Sequence, residues 1–150
     1  MRIALVACGG RDTGGQPRPP APAREVYDGP LFRARRRHVA ASCDRWFVLS
    51  PRYGLVGPED LVEPETERLV DLPRAWREAW TAAVLAELDE VCGSLAGSVV
   101  ELHAGRAFCE AGLEHGLVAR GASVARPVQG LGQGKQLSWY RQHRSDAVLS

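Results

Sequence analysis

Short apolar runs recur along the chain, and each one ends in a turn that contains glycine, proline or a small polar residue. The first run spans residues 2–8 and stops at Gly9. It does not alternate polar and apolar residues, which is typical of a strand buried on both faces, as in parallel sheets. Comparable runs occupy residues 45–50, 98–102 and 122–128. We therefore predict four strands, of which the last is the weakest because Arg126 and Pro127 interrupt it.

Helical periodicity fills the intervals between these runs. Pro30 suits the first turn of a helix, and an apolar stripe follows it. A longer helix is predicted after Asp71, because five apolar residues repeat at spacings of 4, 4, 4 and 3 and would form one face over about four turns. These residues are Trp76, Trp80, Val84, Leu88 and Val91. By contrast, residues 11–30 are rich in proline and residues 57–70 are acidic, and we expect both segments to be irregular.

Strands that alternate with helices predict an α/β protein. We expect residues 1–150 to form a single three-layer Rossmann-like domain with a mostly parallel sheet of four to five strands. Hydrophobic residues at 45% and charged residues at 25% are ordinary for a globular domain. The chain has neither a signal-peptide pattern nor an apolar run of roughly 18 residues, so we expect a cytoplasmic protein without a membrane partner. The sequence does not indicate an oligomeric state.

The carboxyl ends of parallel strands meet at one edge of a sheet, and α/β proteins bind ligands there. Four segments of this chain would converge on that edge, and each combines small residues with polar groups, as pockets for small polar ligands do. The candidate ligand-binding residues are Gly9, Gly10, Asp12, Ser50, Arg52, Tyr53, Gly105, Arg106, Gly130, Gly132, Gly134, Lys135 and Gln136.

The glycines before Lys135, the sole lysine, are the most specific of these features. They are not a Walker A loop, because Gln136 stands where that motif needs serine or threonine. A glycine nest that binds a phosphate or carboxylate and a flexible turn are equally good interpretations.

Three residues are the candidates for catalysis. His103 follows a strand and suits a general acid or base, although a histidine bonded to the backbone would look the same. Glu63 represents an acidic segment whose carboxylates could stabilise a developing cation or activate water, and a solvated acidic loop is the alternative. Cys8 ends the first strand; its apolar setting also fits a buried free thiol. No C-x-x-C pair occurs among the four cysteines, and we expect neither a metal site nor a cofactor.

An arginine cluster lies on the first predicted helix. Arg33, Arg36 and Arg37 are spaced to share neighbouring faces of that helix. The cluster is either a solvated face or a patch that meets phosphates, since the guanidinium matches phosphate oxygens with a planar fork. Nucleic acid is therefore a possible partner, in addition to a small polar or phosphorylated ligand.

Several motifs resemble a family of small bacterial α/β proteins known only as a domain of unknown function. The resemblance covers most of the chain and rests on residues 7–9, 21–32, 49–56 and 130–137. The part from Leu49 through Pro64 is also similar to the YaaA-like peroxide-stress proteins, which are DNA-associated. A looser similarity, a cysteine at the end of the first strand followed by a loop, links the chain to the catalytic domain of archaeosine synthase, which acts on a modified tRNA base.

The resemblance implies a nucleobase, nucleotide or nucleic-acid ligand. Members of the first family usually carry lysines after the Cys-Gly pair, where this chain has Gly10, Arg11 and Asp12, so we do not expect a lysine nucleophile there. Our first hypothesis is an enzyme, of hydrolase, lyase or transferase type, acting on a nucleotide, nucleoside or modified nucleobase. The alternatives are a non-catalytic nucleic-acid-binding stress protein and a biosynthetic enzyme for a non-nucleotide polar substrate.

Overall fold

The computed structural model describes residues 1–9, 18–65 and 67–143, and it has a mixed α/β architecture. Its strands are β1 (Arg2–Ala7), β2 (Ala21–Pro22), β3 (Arg45–Ser50), β4 (Gly54–Val56), β5 (Leu61–Val62), β6 (Val99–His103) and β7 (Ser123–Ala125). Its helices are α1 (Ala23–Val26), α2 (Pro30–Ser42), α3 (Arg74–Cys92), α4 (Arg106–Cys109), α5 (Leu113–Ala119) and α6 (Gln133–Gln142), with a 3-10 turn at Leu69–Asp71.

Five of the strands form one sheet in the order β4-β3-β1-β6-β7. The central strand β1 pairs in parallel with both β3 and β6, and β7 pairs in parallel with β6. Only the edge strand β4 is antiparallel within this sheet. The prediction of a mostly parallel sheet with strands near residues 2–8, 46–50 and 98–102 is therefore confirmed.

Both faces of the sheet carry an apolar cluster, and this explains the absence of polar alternation in β1. Ile3 and Leu5 pack with buried residues of α3 and α5 on one face. Ala4 and Val6 pack with buried residues of α2 on the other face. Successive side chains of a strand point to opposite faces, so a strand covered on both sides must be apolar at every position.

The longest helix, α3, corrects one prediction. Trp80, Val84 and Leu88 are buried as expected, but Trp76 is 41% exposed and Val91 is 47% exposed. Each step of four residues turns about 40° beyond a full helical turn, so Trp76 rotates away from the face that the later residues share. Val91 lies in the last turn of α3, one residue before the helix ends.

The two segments predicted to be irregular contain short elements. In residues 18–29, the four-residue helix α1 begins directly after Pro22. The prolines of this range all precede the helix, and proline is tolerated at a helix start. In residues 57–65, β5 pairs antiparallel with β2. This small pair fastens the chain before α1 to the segment after β4.

Within the described residues, no helix is both long enough and apolar enough to cross a membrane.

Candidate functional site

The carboxyl ends of β1, β3 and β6 meet at one edge of the sheet, as predicted. Val6 is the register partner of both Val48 and His103. The Cys8 amide still donates to the carbonyl oxygen of Leu49 at 3.0 Å, so Cys8 extends the strand beside Ser50. The residues that end these three strands therefore line up across the edge.

The chain changes direction at this edge. From β1 it continues to β3 on one side, and from β6 it continues to β7 on the other side. In open α/β sheets, ligands usually bind in the crevice between two neighbouring strands from which the chain continues in opposite directions. Here those strands are β1 and β6. Cys8 and Gly9 follow β1 and are partly exposed, and Gly105, just after β6, is exposed.

Four side chains form a polar cluster beside this crevice, which we call the Glu65 cluster: Cys8, Tyr27, Ser50 and Glu65. The Ser50 hydroxyl donates to Glu65 Oε1 at 2.6 Å, and the Tyr27 hydroxyl donates to the same oxygen at 2.8 Å. The amide of Arg52 donates to the other oxygen, Oε2, at 3.0 Å. Tyr27, Ser50 and Glu65 are buried, so donors on both oxygens fix the orientation of this carboxylate.

Ser50 holds the cluster on the sheet. Its hydroxyl accepts a hydrogen bond from the Tyr53 amide at 2.9 Å, which closes the turn after β3. Gly54 has a φ of +78°, which favours glycine, and the chain reverses there into β4. The carbonyl oxygen of Ser50 accepts from Trp80 Nε1 at 2.8 Å, so α3 anchors the same residue from the opposite face.

Burial and the carboxylate keep the neighbouring donors protonated. Burial raises the pKa of the Cys8 thiol well above its usual range, and the charge of Glu65 raises it further. The same two causes raise the pKa of the Tyr27 hydroxyl. Because the thiolate is the nucleophilic form of cysteine, this environment favours Cys8 as a hydrogen-bond donor and disfavours it as a nucleophile.

Glu65, and not the predicted Glu63, is the carboxylate that meets Cys8 and Ser50. The side chain of Glu63 is half exposed and lies 3.8 Å from the Arg52 guanidinium. Only its backbone amide contacts the turn, donating to the Tyr53 hydroxyl at 3.2 Å. In sequence, Glu65 is one of several acids in an irregular segment, and nothing local distinguishes it.

Tyr27 is a second member of the cluster that was not singled out from the sequence. It lies between α1 and α2, in the segment that was predicted to be irregular. Its ring packs at an edge angle on Phe32, with centroids 5.6 Å apart. A buried tyrosine needs a hydrogen-bond partner for its hydroxyl, and Glu65 provides it.

His103 belongs to a second cluster on the same face of the sheet, which we call the His103 cluster: His38, Glu101, His103 and Tyr140. Nε2 of His103 lies 2.8 Å from Glu101 Oε1, and Nδ1 lies 2.7 Å from the Tyr140 hydroxyl. Glu101 and His103 are two residues apart on β6, so they project from the same face. The spacing Glu-x-His in a buried strand is the signal that the sequence analysis passed over.

The Glu101 carboxylate is ionised in this cluster. Burial raises its pKa, but hydrogen bonds from His103 and Arg2 outweigh burial and lower the pKa to about 2. An ionised carboxylate can only accept, so Nε2 of His103 carries a proton and donates to Glu101 Oε1. His103 is fully buried, which places this imidazole out of reach of a substrate at the edge of the sheet.

The glycine-rich segment begins α6. Gly132 is the residue before the first turn and has an ordinary φ of −70°, whereas Gly130 has a φ of +81°. Gly134 and Lys135 lie in the first turn and are exposed. The Gln136 amide is occupied within the protein, because it donates to the Leu131 carbonyl at 2.8 Å and accepts from Arg35 at 2.9 Å.

The remaining predicted residues lie apart from both clusters. Arg106 is exposed and pairs with Glu110 at 2.7 Å, on α4. In the arginine cluster of α2, Arg33 and Arg37 are exposed, whereas Arg36 donates to the Arg24 carbonyl oxygen. The predicted ligand-binding residues Gly10 and Asp12 lie outside the described residues.

A cavity of about 470 Å³ lies away from the predicted edge, against the amino-terminal half of β3. Trp46, Phe47, Leu55 and Glu87 are among its lining residues. None of the predicted site residues lines it.

Three side chains of the His103 cluster are close enough to share a metal ion. His38, Glu101 and His103 bring their ligand atoms within 4.8 Å of one another.

The profile of one protein family, described as a family of unknown function (DUF6884), matches residues 3–142. The chain therefore belongs to this family, which confirms the resemblance to a domain of unknown function. No curated protein and no solved structure matches the chain. The resemblances to YaaA-like proteins and to archaeosine synthase gain no support from these comparisons.

Proposed function

We propose that this member of the DUF6884 family is an enzyme that acts on a nucleotide, a nucleoside or a modified nucleobase at the carboxyl edge of its sheet. The observation behind this proposal is the Glu65 cluster, a buried and oriented carboxylate at the carboxyl ends of β1 and β3. We also propose that the domain is a three-layer Rossmann-like unit. The apolar clusters on both faces of the sheet support that arrangement.

The carboxylate of Glu65 has the properties that a nucleoside-directed site needs. Its two oxygens offer about four lone-pair positions, and Ser50, Tyr27 and the Arg52 amide use three of them. The Cys8 thiol bonds to the same carboxylate, and an N–H group of a nucleobase would take that position when the thiol turns away. Cys8, held protonated and partly exposed, supplies a donor beside it.

The reaction class that best suits this arrangement is cleavage of an N-glycosidic bond. Breaking the bond between a sugar carbon and a base nitrogen builds positive charge on the sugar, as in glycoside hydrolysis. The base nitrogen keeps the electron pair and takes up a proton, and water supplies hydroxide to the sugar carbon. Glu65 would stabilise the cationic sugar, a role assigned to Glu63 from the sequence.

A phosphate group on the substrate would meet the start of α6. The first amides of a helix attract anions, and here they are exposed together with the side chain of Lys135. Lysine adds a mobile point charge to such amides. Lys135 and the amides around Gly132 and Gly134 thus remain ligand-binding residues in the proposal, whereas Gln136 serves packing.

A thermal-shift screen over nucleobases, nucleosides and nucleotides tests the proposal. A ligand present at 100 times its Kd stabilises the folded state by about 2.7 kcal/mol, which gives an easily measured rise in Tm. Each compound that raises Tm is then incubated with the protein, and release of the free base is followed by chromatography. We expect at least one compound to bind and to be converted.

Glu65→Gln and Glu63→Gln form a matched pair of variants for this screen. Glu65→Gln removes the buried charge, so conversion should fall at least tenfold, whereas Glu63→Gln changes an exposed side chain and should leave conversion near wild type. Binding and conversion that respond equally in the two variants would contradict the assignment of Glu65. A screen in which none of these compounds raises Tm would contradict the proposal and favour the biosynthetic alternative.

One observation favours a non-catalytic nucleic-acid-binding function as the second candidate. Arg33 and Arg37 are exposed on α2 one turn apart, as a phosphate-contacting patch requires. If this candidate is right, Arg33→Glu with Arg37→Glu weakens binding to every DNA or RNA sequence and flattens its salt dependence. Fluorescence anisotropy at low salt measures both, and a wild-type protein that binds neither nucleic acid eliminates this candidate.

A further inference from the structure

We propose that His38, Glu101 and His103 bind a divalent transition-metal ion, with zinc as the first candidate. The three side chains converge from α2 and β6 on the face of the sheet that α2 covers. The site is separate from the Glu65 cluster and does not depend on the proposed enzymatic function. It also departs from the sequence-based expectation of no metal.

The spacing of the three groups suits a metal ion. Ligand atoms in a tetrahedral zinc site lie about 2.0 Å from the metal, which puts them about 3.3 Å from one another. Glu101 Oε1 lies 2.8 Å from His103 Nε2 and 4.0 Å from His38 Nε2. These distances lie on either side of the required separation, so side-chain shifts of less than about 1 Å would create the site.

The donor set itself is one that metals use. Two imidazoles and one carboxylate form the protein ligands of several zinc centres, and the same set binds ferrous iron with open positions. The side chains of His38, Glu101 and His103 are 12%, 3% and 0% exposed, so water would compete little for the ion. The thiol of Cys43 lies 3.6 Å from Glu101 Oε2, outside the three-residue group.

The ring of His38 packs on Trp139 and Tyr140, but the buried Nδ1 of this imidazole lacks a hydrogen-bond partner among the described residues. Its Nε2 lies too far from Glu101 for a hydrogen bond. Buried polar atoms are normally satisfied, and a metal ion between Nε2 and Glu101 Oε1 would give this imidazole a partner.

The surrounding groups would support a bound ion. Metal-binding histidines usually donate their second ring N–H to an oxygen, and His103 Nδ1 already faces the Tyr140 hydroxyl at 2.7 Å. When Nε2 binds the metal, its proton is replaced and the neutral ring carries its proton on Nδ1, which donates to Tyr140. Arg2 contacts Glu101 Oε2 and thereby leaves Oε1 directed at the two histidines.

The burial of these ligands indicates an ion that stabilises the fold. An ion at this position would join α2 to β6, and through Tyr140 it would also fasten α6 to them. Three protein ligands fill three of the four tetrahedral positions of zinc, and a water molecule would take the fourth. We therefore expect the ion to raise Tm and to have no direct contact with a ligand at the carboxyl edge.

Metal binding is measured on the full chain without a polyhistidine tag. After treatment with a chelator, the protein is titrated with Zn²⁺ in competition with a chromogenic chelator, and with Fe²⁺ in an anaerobic arm. We expect one tightly bound ion per chain and a Tm that rises with metal concentration. Tighter binding of Fe²⁺ than of Zn²⁺ would reverse the usual order of their affinities and would assign the site to iron.

His38→Gln and His115→Gln are the matched pair for this titration. His38 is a proposed ligand whose Nδ1 has no hydrogen-bond partner within the described residues, so its variant should fold. His115 is an exposed histidine of α5. We expect His38→Gln to weaken zinc binding at least tenfold and His115→Gln to leave it unchanged. Tyr140→Phe, which removes the hydroxyl behind His103, should weaken binding by about 10- to 100-fold.

Two results would overturn the proposal. The first is wild-type protein that takes up less than one equivalent of either metal in the competition assay. The second is zinc affinity that is the same in His38→Gln and His115→Gln, which would place the ion on surface groups. In both cases the His103 cluster would be a hydrogen-bonded support of the fold, and the proposed enzymatic function would be unaffected.

Discussion

Ser50 and Glu65 illustrate how this protein keeps polar groups in its interior. Burying a carboxylate without hydrogen bonds costs free energy, and here three donors bond to the two oxygens of Glu65. The buried carboxylate of Glu101 likewise accepts hydrogen bonds from His103 and Arg2. At both places a buried acid orients its neighbours, and such fixed groups are what binding and metal sites require.

The reactivity of Cys8 tests the electrostatics of the Glu65 cluster. Burial and the Glu65 carboxylate raise the pKa of this thiol, so less thiolate is present at any pH than in free cysteine. We expect iodoacetamide at pH 8 to modify Cys8 more slowly than free cysteine, and Glu65→Gln to accelerate the reaction because one of the two causes is removed. Peptide mass spectrometry measures the rate at each cysteine.

Cys109 provides the internal control for that experiment. It is buried in the apolar cluster on the opposite face, and burial raises its pKa as well. If Cys8 and Cys109 both become reactive in Glu65→Gln, the variant has lost its fold. Unchanged reactivity of Cys8 in a folded variant would contradict the interaction between the thiol and Glu65.

At the scale of elements, hydrophobic patterning predicted the central strands and the long helices well. These strands are buried on both faces of the sheet, and each long helix buries one apolar face against it. It failed where tertiary contacts decide the outcome. The pairing of β2 with β5 joins residues far apart in sequence and cannot be seen in either segment alone. Arg35 was not singled out in the arginine-rich helix α2, yet it is buried and reaches Gln136 on α6.

Packing between α3 and α5 depends on a glycine. A side chain added at Gly116 would overlap with the end of Leu85, which is buried in the cluster that α3 shares with α5. Overpacking of this kind costs about 1–3 kcal/mol, so we expect Gly116→Val to reduce the free energy of unfolding by that amount. Urea denaturation followed by circular dichroism measures the change.

Gly134→Val is the matched control in α6. Within the described residues, no atom lies within 4 Å of a Cβ added at Gly134. Valine and glycine differ in helix propensity by less than about 1 kcal/mol, so this variant should be close to wild type in stability. Equal losses in the two variants would contradict the close contact between α5 and α3.

At the scale of the whole molecule, sheet topology brings distant segments to one edge. The sequence predicted the meeting of Cys8, Ser50 and His103, because parallel strands end on the same side. It could not predict which acid joins Cys8 and Ser50, since the path of the chain after β4 decides between Glu63 and Glu65. Nor could it predict that His103 turns inward, because α6 and Tyr140 cover it only in the folded chain.

The location of the ligand is best tested by amide chemical-shift mapping of ¹⁵N-labelled protein, titrated with the strongest nucleoside or nucleotide from the thermal screen. The amide of Arg52 bonds to Glu65 and that of Tyr53 bonds to Ser50, and Gly9 follows β1 at the crevice. We predict that these three amides show the largest shifts. Shifts centred on Trp46 and Leu55 at the cavity, or on Arg33 and Arg37 of α2, would contradict a binding site at the carboxyl edge of the sheet.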